Sequence, residues 1–152
     1  MGSVGLKDFE ALKRYQPAQL RVEEFMQTDL FTAQKDDIIE LVAELMDWRK
    51  IRYMPVEDAK GKLVGLISSR LLLRHFTHDK ESKKQTTVSE VMIENPMSVK
   101  PEATLQEALD TMREHQIGCL PVTNTENELI GVITEMDFLR ITSRLMERLE
   151  KK

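Results

Sequence analysis

Residues 131–137 read Gly131-Val132-Ile133-Thr134-Glu135-Met136-Asp137, a β-branched run that ends on a hydroxyl and meets a carboxylate three positions later. Branched residues favour a strand, and a Thr followed three residues on by an acid marks a helix start. Gly65-Leu66-Ile67-Ser68-Ser69-Arg70-Leu71, 66 positions earlier, has the same form, with Leu71 in place of the acid. At that offset Val22–Phe76 aligns with Val88–Thr142 over 55 residues without a gap, and twelve pairs are identical. They include Val22/Val88, Met26/Met92, Pro55/Pro121 and Gly65/Gly131. Most identities fall at apolar, Gly or Pro positions, where packing and backbone geometry restrict choice. One structural unit occurs twice, and that duplication decides the fold.

Each copy reads as β-α-β-β-α. Leu105, Ala108, Leu109 and Met112 recur at i, i+3, i+4 and i+7, an amphipathic helix opened by a Thr104/Glu107 capping box. Ile38, Leu41, Val42 and Leu45 repeat the stripe, with Asp37 and Glu40 at its start. Ile51–Glu57 and Leu63–Ser68 flank the turn residues Asp58–Gly61, a hairpin signature. Ile117–Thr123 and Leu129–Thr134 form its twin. A helix follows each hairpin, the second running from near Met136 to Arg148. Short extended pieces, Phe31–Gln34 and Met97–Lys100, precede the first helix of each copy. The reading divides the chain into a leader with a short helix (1–21), unit 1 (22–76), a polar linker (77–87) and unit 2 with its C-terminal helix (88–152).

Composition narrows the function. The chain has 152 residues, 41% hydrophobic, with a net charge of −4, so it suits two small units sharing a core. A mild acidic excess gathers no phosphate backbones, which argues against nucleic acid as a partner. One cysteine, Cys119, excludes an internal disulfide and fits a reducing, cytoplasmic setting. No apolar run reaches the roughly 18–20 residues that span a bilayer, and no membrane partner is expected. His75 and His78 beside Asp79 read as solvated surface rather than a metal site. Cys119 in an apolar strand reads as an inert thiol. No nucleophile–base pair, P-loop or zinc spacing is present, so no catalytic residue is expected.

The ordered motifs resemble the cystathionine-β-synthase (CBS) domain. Val99-Lys100-Pro101-Glu102-Ala103-Thr104, then Ile117-Gly118-Cys119-Leu120-Pro121-Val122, then Gly131 to Asp137 carry the whole pattern. The first copy has Ile51-Arg52-Tyr53-Met54-Pro55-Val56 and Gly65-Leu66-Ile67-Ser68 but lacks the aspartate. The resemblance implies an α/β (α+β) tandem pair, a Bateman module, packed about a pseudo-twofold axis. It also implies a non-enzymatic regulatory role, a homodimer and an effector protein or domain. The implied regulatory ligand is an adenosine-type molecule, AMP, ADP, ATP or S-adenosylmethionine, with no obligatory cofactor. Asp137 would take the ribose hydroxyls and Thr134 a ribose or phosphate oxygen. Met26, Phe31, Ile51, Arg52, Tyr53, Gly118 and Cys119 would form the walls, with Arg52 a phosphate donor. A second role fits the same pair: Thr134 capping the last helix and Asp137 complementing its dipole. A ligand-free dimerisation or interaction module is the alternative reading of the whole chain.

Overall fold

The computed structural model describes residues 20–78 and 85–150. Of the proposed leader helix only Leu20 falls within that range, and most of the 77–87 linker lies outside it.

The helix–hairpin–helix part of each copy follows the expected repeat. Helix α1 (Ile39–Arg49) leads to strands β1 (Tyr53–Glu57) and β2 (Leu63–Ser68) and helix α2 (Ser69–His78). A short helix α3 (Val88–Val91) and strand β3 (Ile93–Glu94), neither of them expected from the sequence, come next. Helix α4 (Leu105–His115), strands β4 (Cys119–Thr123) and β5 (Leu129–Thr134) and helix α5 (Glu135–Glu150) complete the second copy. The two first helices stop at twin positions, Lys50 and Gln116, both left-handed with φ 57° and 53°. There Ile51 N–H donates to Met46 O and Ile117 N–H to Met112 O, each at 3.0 Å, closing the last turn in Schellman fashion.

The Thr104/Glu107 capping box forms as expected, with both hydrogen bonds at 3.0 Å. Its counterpart differs. Helix α1 starts after Ile38 with no side-chain cap, and Asp37 instead accepts the Gln34 N–H at 2.8 Å, closing a turn. The extended pieces are also shorter than expected. Each makes a single parallel bridge, Ala33 to Val56 and Val99 to Val122.

The compact units interleave the sequence copies. A leading unit takes residues 31–78, 85–97 and 126–129, and a trailing unit takes residues 20–30, 98–125 and 130–150. Each copy's lead-in segment therefore folds into the body of the other copy. In the trailing unit Val22 N–H donates to Ala103 O at 2.8 Å and Leu105 N–H to Leu20 O at 2.8 Å. In the leading unit Val88 N–H donates to Asp37 O at 2.8 Å and Ile39 N–H to Thr86 O at 3.1 Å. These bonds satisfy first-turn helix donors that would otherwise lack partners. Val22 and Val88 are fully buried in their respective cores. Each contributes on the order of 1.5–3 kcal/mol by leaving water.

The leading sheet is antiparallel in the order β1-β2-β3, with Gly65 opposite Glu94 and Leu66 opposite Ile93. In the trailing unit β4 and β5 pair, and Gln27 bridges Val132 where β3 stands in the twin. Gly65 and Gly131 permit that third line to approach. A Cβ on Gly131 would lie 3.0 Å from Gln27 O, and one on Gly65 3.1 Å from Ile93 O. One core gathers Val22, Phe25, Met112, Leu120, Ile133 and Ile141, and the other Ile39, Met46, Met54, Ile67, Val88 and Met92.

Candidate functional site

The corner between β5 and α5 holds the residues with the strongest functional signature. Thr134 ends the strand and Asp137 lies in the first turn of the helix, so the carboxylate folds back on the strand end. Asp137 Oδ2 accepts the Thr134 N–H at 2.8 Å and its hydroxyl at 3.2 Å. Oδ1 accepts the Gln27 side-chain amide at 2.8 Å and the Arg140 guanidinium at 3.4 Å. The residue is 4% exposed, so these donors replace most of its hydration. Gly118 and Cys119 border the corner: Glu135 N–H donates to Gly118 O at 3.0 Å, and Cys119 begins β4. Burial, with the negative charges of Asp137 and Glu135, pushes the Cys119 thiol up to about 12, which keeps it protonated and unreactive. Met26 packs half-buried against the same core and its sulfur lies over Gly131.

The trailing unit thus brings together Met26, Gly118, Cys119, Thr134 and Asp137. The other four proposed wall residues belong to the leading unit. Phe31 packs against that unit's core with the Arg49 guanidinium 4.0 Å above its ring, a cation–π contact. Ile51 packs half-buried on the same core. Arg52 is exposed, and its carbonyl accepts the Ser69 N–H at 2.9 Å, the twin of the Gly118–Glu135 bond. Tyr53 opens β1 opposite Ser68.

Gln27, Arg140 and Arg49 escaped the sequence reading. Gln27 carried a signal: its twin is Ile93, and the twin of Asp137 is Leu71. The polar pair in one unit is replaced by an apolar pair in the other, as expected for side chains in contact. At the sister corner Ser68 Oγ accepts the Leu71 N–H at 3.1 Å, so a hydroxyl closes that turn where no carboxylate is present. Among the described residues no group of three or more His, Cys, Asp or Glu side chains is placed to hold a metal, and no helix is long and apolar enough to cross a membrane.

The fold and this corner define a protein built from two copies of a small α+β repeat, one copy carrying a buried carboxylate at its strand-to-helix turn. The chain belongs to the CBS domain family, which matches residues 22–78 and 88–144. A CBS domain-containing protein of Dictyostelium discoideum is 29% identical over 135 residues, covering 83% of this chain and 93% of that one. Inosine-5′-monophosphate dehydrogenase of Methanocaldococcus jannaschii is 32% identical over 120 residues, 79% of this chain but 23% of the enzyme. Among solved structures, a Vibrio cholerae chain named for acetoin utilisation superposes with a TM-score of 0.80 at 35% identity, covering 87% of this chain and 98% of its own. The Arabidopsis thaliana CBS-pair protein CBSX2 in complex with AMP gives 0.74 at 23% identity, covering 84% and 98%. The cytosolic domain of the Mg2+ channel MgtE in complex with ATP gives 0.68 at 26% identity, covering 87% and 52%.

Proposed function

We propose that this chain is a regulatory module that senses an adenosine-containing nucleotide, AMP, ADP, ATP or S-adenosylmethionine, and passes its ligand state to an effector protein or domain. The observation that carries the reading is the buried Asp137 carboxylate, held with both oxygens oriented at the β5–α5 corner. Vicinal ribose hydroxyls are two adjacent donors and suit such a carboxylate, as in dinucleotide folds. They would take over Oδ1 from the Gln27 amide, while Thr134 keeps Oδ2 in place. The AMP and ATP complexes of proteins with the same fold support the ligand class. The relative that is a dehydrogenase is more than four times longer than its matched part, which supports a regulatory role for that part. The proposal includes Met26, Gly118 and Cys119 as walls and, from the resemblance, Phe31, Ile51, Arg52 and Tyr53, with Arg52 donating to phosphate.

Calorimetric and thermal-shift titration with the four ligands tests this. A ligand at about 100 times its dissociation constant adds about 2.7 kcal/mol of stability, seen as a raised Tm. Asp137→Ala should abolish that shift, and an unchanged affinity in this variant removes the ribose contact.

A second reading, a ligand-free dimerisation or interaction module, has its own observation. Leu139, Met146 and Leu149 on α5 and Leu41 and Trp48 on α1 are exposed apolar side chains. A tight dimer by sedimentation together with no nucleotide-dependent Tm shift selects this reading.

A further inference from the structure

The leading unit contains an open groove of about 540 Å³ between α2 and α3, lined among the described residues by Leu71, Arg74, His75, His78, Glu90 and Val91. Positions 71, 74, 75 and 78 lie on one face of α2, so the helix presents three nitrogen-bearing side chains to the same space. Comparison with the twin explains why the space exists. There Phe25 and Ile141 are buried in the core at 8% and 5% exposure. Their counterparts here are Val91 and His75, so a ring is lost and a branched apolar side chain becomes an imidazole. The third difference concerns charge. Arg140 pairs with the Asp137 carboxylate at 3.4 Å, whereas its counterpart Arg74 has Leu71 at the equivalent position. Glu90 is the acid among the described lining residues, and its carboxylate accepts the Thr87 N–H at 2.7 Å and hydroxyl at 3.2 Å.

We propose that this groove is a second small-molecule site that takes a phosphate monoester. Arg74 supplies a planar fork of donors for the phosphate, and the His75 and His78 rings supply further N–H donors. Leu71 and Val91 form an apolar wall for the carbon skeleton. The volume falls within the range of ligand pockets and far exceeds what an inorganic phosphate fills. The site is separate from the Asp137 corner and does not depend on the nucleotide reading.

The test uses the full chain carrying Asp137→Ala, so that loss of the proposed ribose site and loss of the groove are distinguishable. Ribose 5-phosphate, AMP and inorganic phosphate are titrated separately while the histidine ring resonances are followed by NMR. Ribose 5-phosphate or AMP should shift His75 and His78 saturably and leave His115 unmoved, with inorganic phosphate binding at least about tenfold more weakly. Arg74→Gln should weaken the ester by about tenfold or more, and Val91→Phe, which restores the twin's ring, should close the groove. If Val91→Phe does not fold, His78→Gln takes its place and should weaken binding. No saturable shift at His75 and His78, or full-strength binding in Arg74→Gln, overturns the site. Equal affinity for inorganic phosphate overturns the ester assignment.

Discussion

The Gln27 side-chain amide donates to Asp137 Oδ1 at 2.8 Å, joining residues 110 positions apart inside the trailing unit. The bond ties a lead-in segment of the first copy to the chemical centre of the second. Asp137 is buried, so removing either partner leaves a polar group without its bond.

Asp137→Leu alone should cost about 1–3 kcal/mol in urea denaturation, because the Gln27 amide and the Thr134 N–H lose their acceptor. Gln27→Ile together with Asp137→Leu copies the Ile93/Leu71 pair of the twin. The double variant should recover part of that loss, with a coupling energy of about 0.5–3 kcal/mol. Strict additivity would contradict a direct interaction.

Gly131→Ala and Gly65→Ala should each destabilise the fold by about 1–3 kcal/mol through crowding. The new Cβ meets a methionine sulfur, which can move, and a backbone carbonyl, which cannot without shifting the third line of the sheet. Met26→Ala should therefore rescue Gly131→Ala only partly, as read from the melting temperature.

Cys119 ties stability to alkaline pH. Burial raises its folded value from 9.0 to about 12, so the unfolded chain loses this proton first. The contribution is full below pH 9 and declines as pH rises toward 12, at about 1.4 kcal/mol per pH unit for this group. Cys119→Ala should flatten that part of the stability–pH curve, and the native thiol should resist alkylation at pH 9. Rapid modification of the folded protein at that pH would refute the burial argument.

Thr104→Ala removes the acceptor of the Glu107 N–H and half of the box that opens α4. Equilibrium unfolding should show a loss of about 1 kcal/mol. Thr104→Ser, which keeps the oxygen, should restore most of it.

Much of the local structure is legible in the sequence. The period of Leu105, Ala108 and Met112 placed α4, and the Thr104/Glu107 spacing placed its start, because both depend on contacts within one turn. The hairpins followed from branched runs around turn residues. At the site, Thr134 and Asp137 were legible from their own three-residue spacing and the resemblance. Gln27 was not, since it reaches Asp137 only through the tertiary fold. Asp37 misled the reading of α1 because an acid near a helix start serves a turn as readily as a cap.

The sequence by itself determined the duplication, the helix–hairpin–helix order within each copy and the carboxylate at the strand-to-helix turn that only one copy carries. These rest on periods and spacings that local backbone geometry imposes. Only the tertiary structure decided which copy each lead-in segment completes. Val22 matches Val88 and Met26 matches Met92, so these positions do not distinguish one body from the other. Hydrophobic pattern at such shared positions is blind to the choice. The choice shows in directional bonds, Val22 to Ala103 and Gln27 to Asp137 on one side and Val88 to Asp37 on the other, which exist only once the chain has folded.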